Sequence, residues 1–217
     1  MIVLPTTHGA WLEERRNGLG GSDAASYLGM SRYKSNVQLW EEKVGLRQPE
    51  DIGDKPYVRY GHDAEPHLRE LFALDHPELI VRYESPYKMI RNDEHPFIFA
   101  TPDGELEDRA TGRHGGFECK TTEIRNASQW ALWDDRIPDE YYCQVVHQML
   151  AADWEFVWMK AQIKWTDKRG GMRLDTREYL INREDALEDI EVLKESAVEF
   201  WRHVVAQERP PLKLPQI

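Results

Sequence analysis

The sequence predicts an α/β protein with a central mixed sheet flanked by helices. Three observations predict it. Short apolar/polar runs broken by turn residues fill positions 79–121. Two long stretches of helical periodicity, at 57–75 and 138–152, bracket that region. A pair of long runs rich in aromatic and β-branched residues, 154–165 and 172–181, follows them. At 217 residues the chain suits one domain, 1–217, with a substantial core.

Taken in order, residues 10–17 read as a short helix ending near Gly18. Gly20 and Gly21 permit a tight turn, and Ser22 is placed to cap a helix over 23–28. Ser35 or Asn36 caps the next, which runs through Val37, Leu39, Trp40 and Val44 and stops at Gly45. Residues 47–55 are a polar linker. In the helix at 57–75, Ala64, Leu68, Leu71, Phe72 and Leu74 form the expected buried stripe. Strands are expected at 79–83, 87–91 and 97–100, with Ser85-Pro86 and Asn92-Asp93 as breaks.

A hairpin comes next. A run beginning at Leu106 breaks into a charged, glycine-containing turn at 108–116, and 117–121 form the returning strand. If the hairpin is symmetric about Thr111 and Gly112, Asp103 falls opposite Lys120. Helices are expected at 126–133 and from Pro138 to about 152. In the second, Tyr142, Val145, Val146 and Met149 share one face, and Gln144, His147 and Gln148 look toward more polar surroundings. The two long strands pair across the turn at 167–171. Asn182 and Asp185 open a final helix that runs to 206, with a stripe through Leu187, Ile190, Leu193, Ala197 and Phe200.

The composition excludes several classes. There is no apolar run long enough to span a membrane, and the first residues lack the charged and apolar regions of a secretory leader. Two cysteines, Cys119 and Cys143, make no disulfide framework, so a cytoplasmic protein with reduced core thiols is expected. The net charge of −11 argues at first against a nucleic-acid partner. The acids, however, gather between Glu184 and Glu199. Bases gather elsewhere: Arg15 and Arg16, Arg32 and Lys34, and Lys164 to Arg173. An acidic exterior with one basic channel fits an enzyme that admits DNA at one place.

The chemistry concentrates on Asp103, Glu118 and Lys120. Strand alternation puts Glu118 and Lys120 on one face and Phe117, Cys119 and Thr121 on the other. Two carboxylates brought together repel unless a cation lies between them. Oxygen-only ligands favour a hard ion, Mg2+ or Mn2+. A neighbouring lysine can hold or help deprotonate an attacking water, the arrangement of metal-assisted phosphodiester hydrolysis. A bare Glu-x-Lys is otherwise an ordinary surface pair. Glu65 has such a plain alternative as well, an i,i+4 pair with Arg69. His147 has no zinc-spaced companion and reads as structural. The strand tryptophans read as core, with base stacking the less ordinary use.

Pro102-Asp103 followed by Glu118-Cys119-Lys120 resembles the PD-(D/E)xK nuclease signature. Three further blocks narrow the resemblance. Gly20-Gly21-Ser22-Asp23-Ala24-Ala25, Tyr60-Gly61-His62-Asp63-Ala64-Glu65 and Tyr142-Cys143-Gln144-Val145 resemble motifs of the phage lambda exonuclease and YqaJ-type viral recombinase family. All four occur in the family's order across about residues 11–150. The resemblance implies a restriction-endonuclease-like fold. It implies a metal-dependent exonuclease that degrades the 5′-ended strand of duplex DNA and leaves a 3′ tail. Asp103, Glu118 and the Cys119 carbonyl would hold one of two Mg2+ or Mn2+ ions. Glu65 would support the second, through water or directly. Lys120 would orient or activate water, and Gln144 would help position it. Arg15 or Arg16 with Ser22 would form a 5′-phosphate pocket, Thr101 would add a hydroxyl, and Arg32 and Lys34 would touch the DNA backbone. A homotrimeric ring and a single-strand annealing partner are implied too. The alternatives are an endonuclease or RecB-like nuclease on the same scaffold, and a non-catalytic DNA-end-binding module.

Overall fold

The structure, a computed structural model, describes residues 1–133 and 136–214. In chain order the first half holds β1 (Ile2–Val3), α1 (His8–Arg16), α2 (Ala24–Leu28), α3 (Asn36–Lys43), α4 (Pro56–Asp75), β2 (Leu79–Arg82), β3 (Met89–Arg91) and β4 (Phe99–Ala100). The second half holds β5 (Gly104–Asp108), β6 (His114–Ile124), α5 (Ala127–Ala131), α6 (Asp139–Ala152), β7 (Phe156–Thr166), β8 (Met172–Asn182) and α7 (Leu187–Ala206).

Five strands form the main sheet in the order β2-β5-β6-β7-β8. β6 and β7 run parallel, and the other neighbours are antiparallel, so the sheet is mixed as expected. A parallel pair needs a crossover, and α5 with α6 supplies it. β1, β3 and β4 form a small antiparallel sheet. An isolated parallel bridge between Leu19 and Ile98 ties the glycine-rich segment to its margin.

The two faces of the main sheet serve different cores. On one, Val157, Met159, Ala161 and Ile163 of β7 pack with Val145, Val146 and Met149 of α6, all fully buried. On the other, Phe72 of α4 meets Phe117 of β6 with ring centroids 4.7 Å apart, joined by Leu79, Leu106 and Phe156. The stripe on α4 is narrower than expected. Leu68 and Phe72 are buried, whereas Leu71 and Leu74 are exposed, because they sit about a quarter-turn or more off the line through 68 and 72. Leu187 is likewise exposed, while Ile190, Leu193, Ala197 and Phe200 carry the stripe of α7. Asn182 and Asp185 precede that helix through a single 3₁₀ turn, Arg183–Asp185.

The hairpin register differs from the expected one by two residues. Gly104 pairs with Phe117, which brings Asp103 level with Glu118 and Cys119 rather than with Lys120. The cause is the turn. The Asp108 carboxylate accepts from the N–H groups of Ala110 and Thr111 at 2.9 and 2.8 Å, and Gly112 takes a positive φ of 72°. This winds the bend tightly and centres it one residue earlier. Both strands also extend further into the expected turn, to Asp108 and from His114.

A second correction concerns Ser22. It does not cap α2. A 3₁₀ turn over Gly21–Asp23 precedes that helix, and the Asp23 carboxylate accepts from the Gly20 N–H at 3.1 Å. Aspartate's longer side chain and second oxygen let it reach back to the Gly20 N–H and close this turn, which leaves the serine hydroxyl for another partner.

Candidate active site

β6 is long because both of its faces are used. Phe117 and Cys119 look toward the α4 side, and Glu118 and Lys120 look toward α6. Glu118 is 2% exposed, and a buried carboxylate requires partners. It has three. Gln144 Nε2 donates to Oε1 at 2.6 Å, Gln148 Nε2 donates to Oε2 at 2.6 Å, and Lys120 Nζ makes an ion pair with Oε1. Lys120 also lies 5.5 Å from the centre of the Tyr141 ring. Burial by itself would lower the lysine's pKa, but the charges of Glu118 and Asp103 outweigh it and raise it.

Gln144 and Gln148 do face a polar group, the Glu118 carboxylate, but the same expectation for His147 is corrected. α6 is buried over most of its circumference between the sheet and the outer helices. His147 is fully buried. Its Nε2 lies 3.0 Å from the Leu19 carbonyl and 3.1 Å from that of Phe99, so this nitrogen carries the proton. Nδ1 then accepts from the Tyr27 hydroxyl at 2.9 Å. The residue is structural, as expected, and pins the glycine-rich segment and β4 to α6. Gln148 is the site residue that the sequence reading did not single out. Its signal was the four-residue spacing from Gln144, which stacks both amides on one helix face.

Gly21 explains how the glutamines reach the strand. A Cβ there would sit 2.9 Å from Gln144 Cγ and 3.2 Å from the Gln144 carbonyl oxygen. The missing side chain lets the turn lie directly on α6.

Asp103 follows β4 on the short link to β5. Its Oδ2 accepts from the Cys119 N–H at 2.8 Å. Burial, with the Glu118 and Glu65 carboxylates nearby, raises its carboxyl pKa well above the ordinary range, against the pull of Lys120. Glu65 accepts from Arg69 at 3.1 Å, and the same Arg69 nitrogen donates to the Asp103 carbonyl at 2.6 Å. The plain i,i+4 pair is therefore present, and it also links Glu65 to the Asp103 backbone. Arg69 stacks 3.7 Å from the centre of the Tyr83 ring.

A cleft of about 210 Å³ opens beside these groups, and Glu118 and Lys120 are not on its wall. Its walls include Asp103, Glu65, Thr101, Gln144 and Gln148, and it continues to Arg15 and Ser22. The Arg15 guanidinium donates to Ser22 Oγ at 3.0 Å and lies 4.7 Å from the centre of the Trp11 ring. Arg16 is exposed and is not on the cleft wall. Arg32 and Lys34 are not brought to this cleft either. Arg32 lines a separate cleft of about 820 Å³ beyond Thr122, and Lys34 pairs with Glu42 at 2.5 Å. Of the tryptophans, Trp158 packs beside Phe72 and His76, and Trp165 packs against Trp130.

Among the described residues no three His, Cys, Asp or Glu side chains already converge as a ligand set. Glu118 is turned onto its three donors and Asp103 onto the Cys119 N–H. The donor chemistry nevertheless fits a hard divalent cation. It is all oxygen, and the repulsion that raises Asp103 is what a cation would offset. Two buried polar atoms on the cleft wall, Thr101 Oγ1 and Gln148 Oε1, have no protein partner among the described residues.

A five-stranded mixed sheet with this Asp, Glu-x-Lys hairpin at its centre is the restriction-endonuclease-like, PD-(D/E)xK fold. Residues 10–155 match the YqaJ-like viral recombinase domain, and the chain belongs to that family. It is 29% identical over 203 residues to the YqaJ protein of Bacillus subtilis (strain 168), covering 93% of this chain and 57% of that protein. The chain thus spans somewhat over half the length of that relative. The crystal structure of LHK-Exo in complex with dAMP superposes with a TM-score of 0.65 at 20% identity, covering 92% of this chain and 93% of that one. LHK-Exo is an alkaline exonuclease from Laribacter hongkongensis. A phage-related exonuclease from Haemophilus somnus 129PT superposes with a TM-score of 0.53 at 12% identity, over 88% and 96% of the two chains. These likenesses show the fold. No helix among the described residues is long and apolar enough to cross a membrane.

Proposed function

We propose that this chain is a Mg2+- or Mn2+-dependent exonuclease that hydrolyses the 5′-ended strand of double-stranded DNA from its ends. The observation that carries the reading is that one cleft is lined by Asp103, by the Glu118 partner Gln144 and by the Arg15–Ser22 pair. The first two suit phosphodiester chemistry and the pair suits a terminal phosphate.

Asp103, Glu118 and the Cys119 carbonyl would hold the ion, with Glu65 supporting a second. A bound divalent ion supplies Lewis-acid polarisation of the phosphate and a more acidic water. The chain's own residues do the rest. Lys120, a charged donor fixed against Glu118, orients the attacking water and offsets charge developing on the phosphate oxygens. Gln144 and Gln148 hold Glu118 in one orientation. Arg15 and Ser22 bind the 5′-phosphate and so place the scissile bond at a fixed distance from the end. Thr101 offers on the same wall a hydroxyl that has no partner among the described residues. A homotrimeric ring around the duplex, a single-strand annealing partner and a cytoplasmic location complete the proposal, and the viral-recombinase family supports its setting in recombination.

The test is nucleotide release from 5′-phosphorylated linear duplex with and without Mg2+, beside a closed-circular control. Release should require Mg2+ and an end. Lys120→Ala should abolish release while DNA binding persists. Cleavage of the circle, or full activity of Lys120→Ala, would overturn the proposal.

A further inference from the structure

Lys43 carries a largely enclosed side chain, and the chemistry above does not use it. Its side chain is 9% exposed and reaches from α3 into the junction between α1 and the 3₁₀ turn at Gly21–Asp23. The ammonium makes two bonds there. It donates to the Arg15 backbone carbonyl at 3.0 Å and to Asp23 Oδ2 at 2.9 Å. That carboxylate, 10% exposed, also accepts from the Gly20 N–H. Burial works against the charge on Asp23, yet Lys43 and then Arg15 overcome it and hold the carboxyl down at about 2.

The position of these bonds matters more than their number. Arg15 and Ser22 lie on separate pieces of backbone. Arg15 is in the last turn of α1, and Ser22 is in the middle of the 3₁₀ turn. Direct contact between them is one hydrogen bond at the surface. Lys43 grips the first piece by the carbonyl of Arg15 itself and the second by the residue following Ser22. A buried ammonium with two charge-satisfying partners fixes their separation far better than an exposed side-chain contact.

We infer that Lys43 is the positioning residue for terminal-phosphate recognition, holding Arg15 and Ser22 at the spacing a phosphate monoester requires. The inference rests on the reading of Arg15 and Ser22 as the 5′-phosphate pocket. Lys43 itself touches neither substrate nor the Asp103–Glu118 centre. Its loss should therefore reduce discrimination between end chemistries and leave hydrolysis of an unphosphorylated end unchanged.

The experiment compares kcat/KM on linear duplexes carrying 5′-phosphate or 5′-hydroxyl ends, with Mg2+, for the whole chain and for Lys43→Met and Ser22→Ala. Both rates come from one protein preparation, so any unfolded fraction cancels in the ratio. Lys43→Met should lower the phosphate-to-hydroxyl ratio about tenfold through KM on phosphorylated ends, with the hydroxyl-end rate unmoved. If Lys43→Met keeps the native ratio while Ser22→Ala loses it, the pocket stands and the role of Lys43 is overturned. If Ser22→Ala and Arg15→Ala also keep it, the pocket itself is misplaced. Should Lys43→Met not accumulate as folded protein, Lys43→Gln, with a neutral and shorter end group, puts the same question through the same ratio. An unchanged ratio in Lys43→Gln would overturn the inference equally.

Discussion

Gln148 donates from Nε2 to Oε2 of Glu118 at 2.6 Å, leaving its own carbonyl oxygen buried and without a partner among the described residues. The amide is thus half committed to orienting the carboxylate and half available to the cleft. Outer partners of this kind set how well a ligand carboxylate is aimed. Gln148→Ala should therefore weaken the apparent affinity for Mg2+ by about 10–100-fold. Titration of nucleotide release against Mg2+ measures this. A superimposable titration curve would show that Gln144 and Lys120 alone hold Glu118.

Gly21→Ala tests the contact between the glycine-rich turn and α6. The new Cβ would lie 3.2 Å from a backbone carbonyl, which cannot swing aside as a side-chain tip can. Overpacking of this sort costs about 1–3 kcal/mol. The strain falls on Gln144, so activity should drop as well as the melting temperature. A fully active variant would mean that the helix accommodates the methyl without moving the amide.

His147 gives stability a pH dependence. Burial, only partly opposed by Asp23 and the carbonyls of Leu19 and Phe99, lowers its pKa from 6.5 to about 4. The unfolded chain takes up this proton first as pH falls. The contribution of the neutral imidazole is therefore complete above pH 6.5 and is lost as pH drops toward 4. The size is on the order of 3 kcal/mol at about 1.4 kcal/mol per pH unit. Urea unfolding at pH 7.5 and 4.5 measures the loss, and His147→Gln should reduce it. Equal losses in both proteins would remove His147 from the acid response.

Phe117→Ala tests the smaller core. Phe117 is fully buried against Phe72 and adjoins Glu118. Emptying that space should cost about 3–5 kcal/mol. Denaturant unfolding checks this. A loss under 1 kcal/mol would mean that α4 closes onto the sheet.

The alternation of Phe117, Glu118, Cys119 and Lys120 was legible because a strand's period of two leaves little choice, and the structure sets the pairs on the expected faces. The register against Asp103 was not, because it depended on where Asp108 and Gly112 would close the turn. Ser22 and its neighbour Asp23 are both good helix caps by residue type, and only the fold shows the aspartate closing the turn. The choice between Arg15 and Arg16 is also three-dimensional. Adjacent helical residues point about 100° apart, so one faces Ser22 and the other faces solvent. Gln148 was written in the sequence at helical spacing, but an amide carries no mark of what it will touch.

The use of both sides of β6 sets how its length can vary over evolutionary time. One residue inserted between Phe117 and Lys120 would turn every later side chain through the sheet, sending a carboxylate or an ammonium into the aromatic cluster with Phe72. The bend at 109–113 has no such parity to keep. Insertions and deletions among homologues are accordingly expected to accumulate at that bend and to be purged from the strand it introduces.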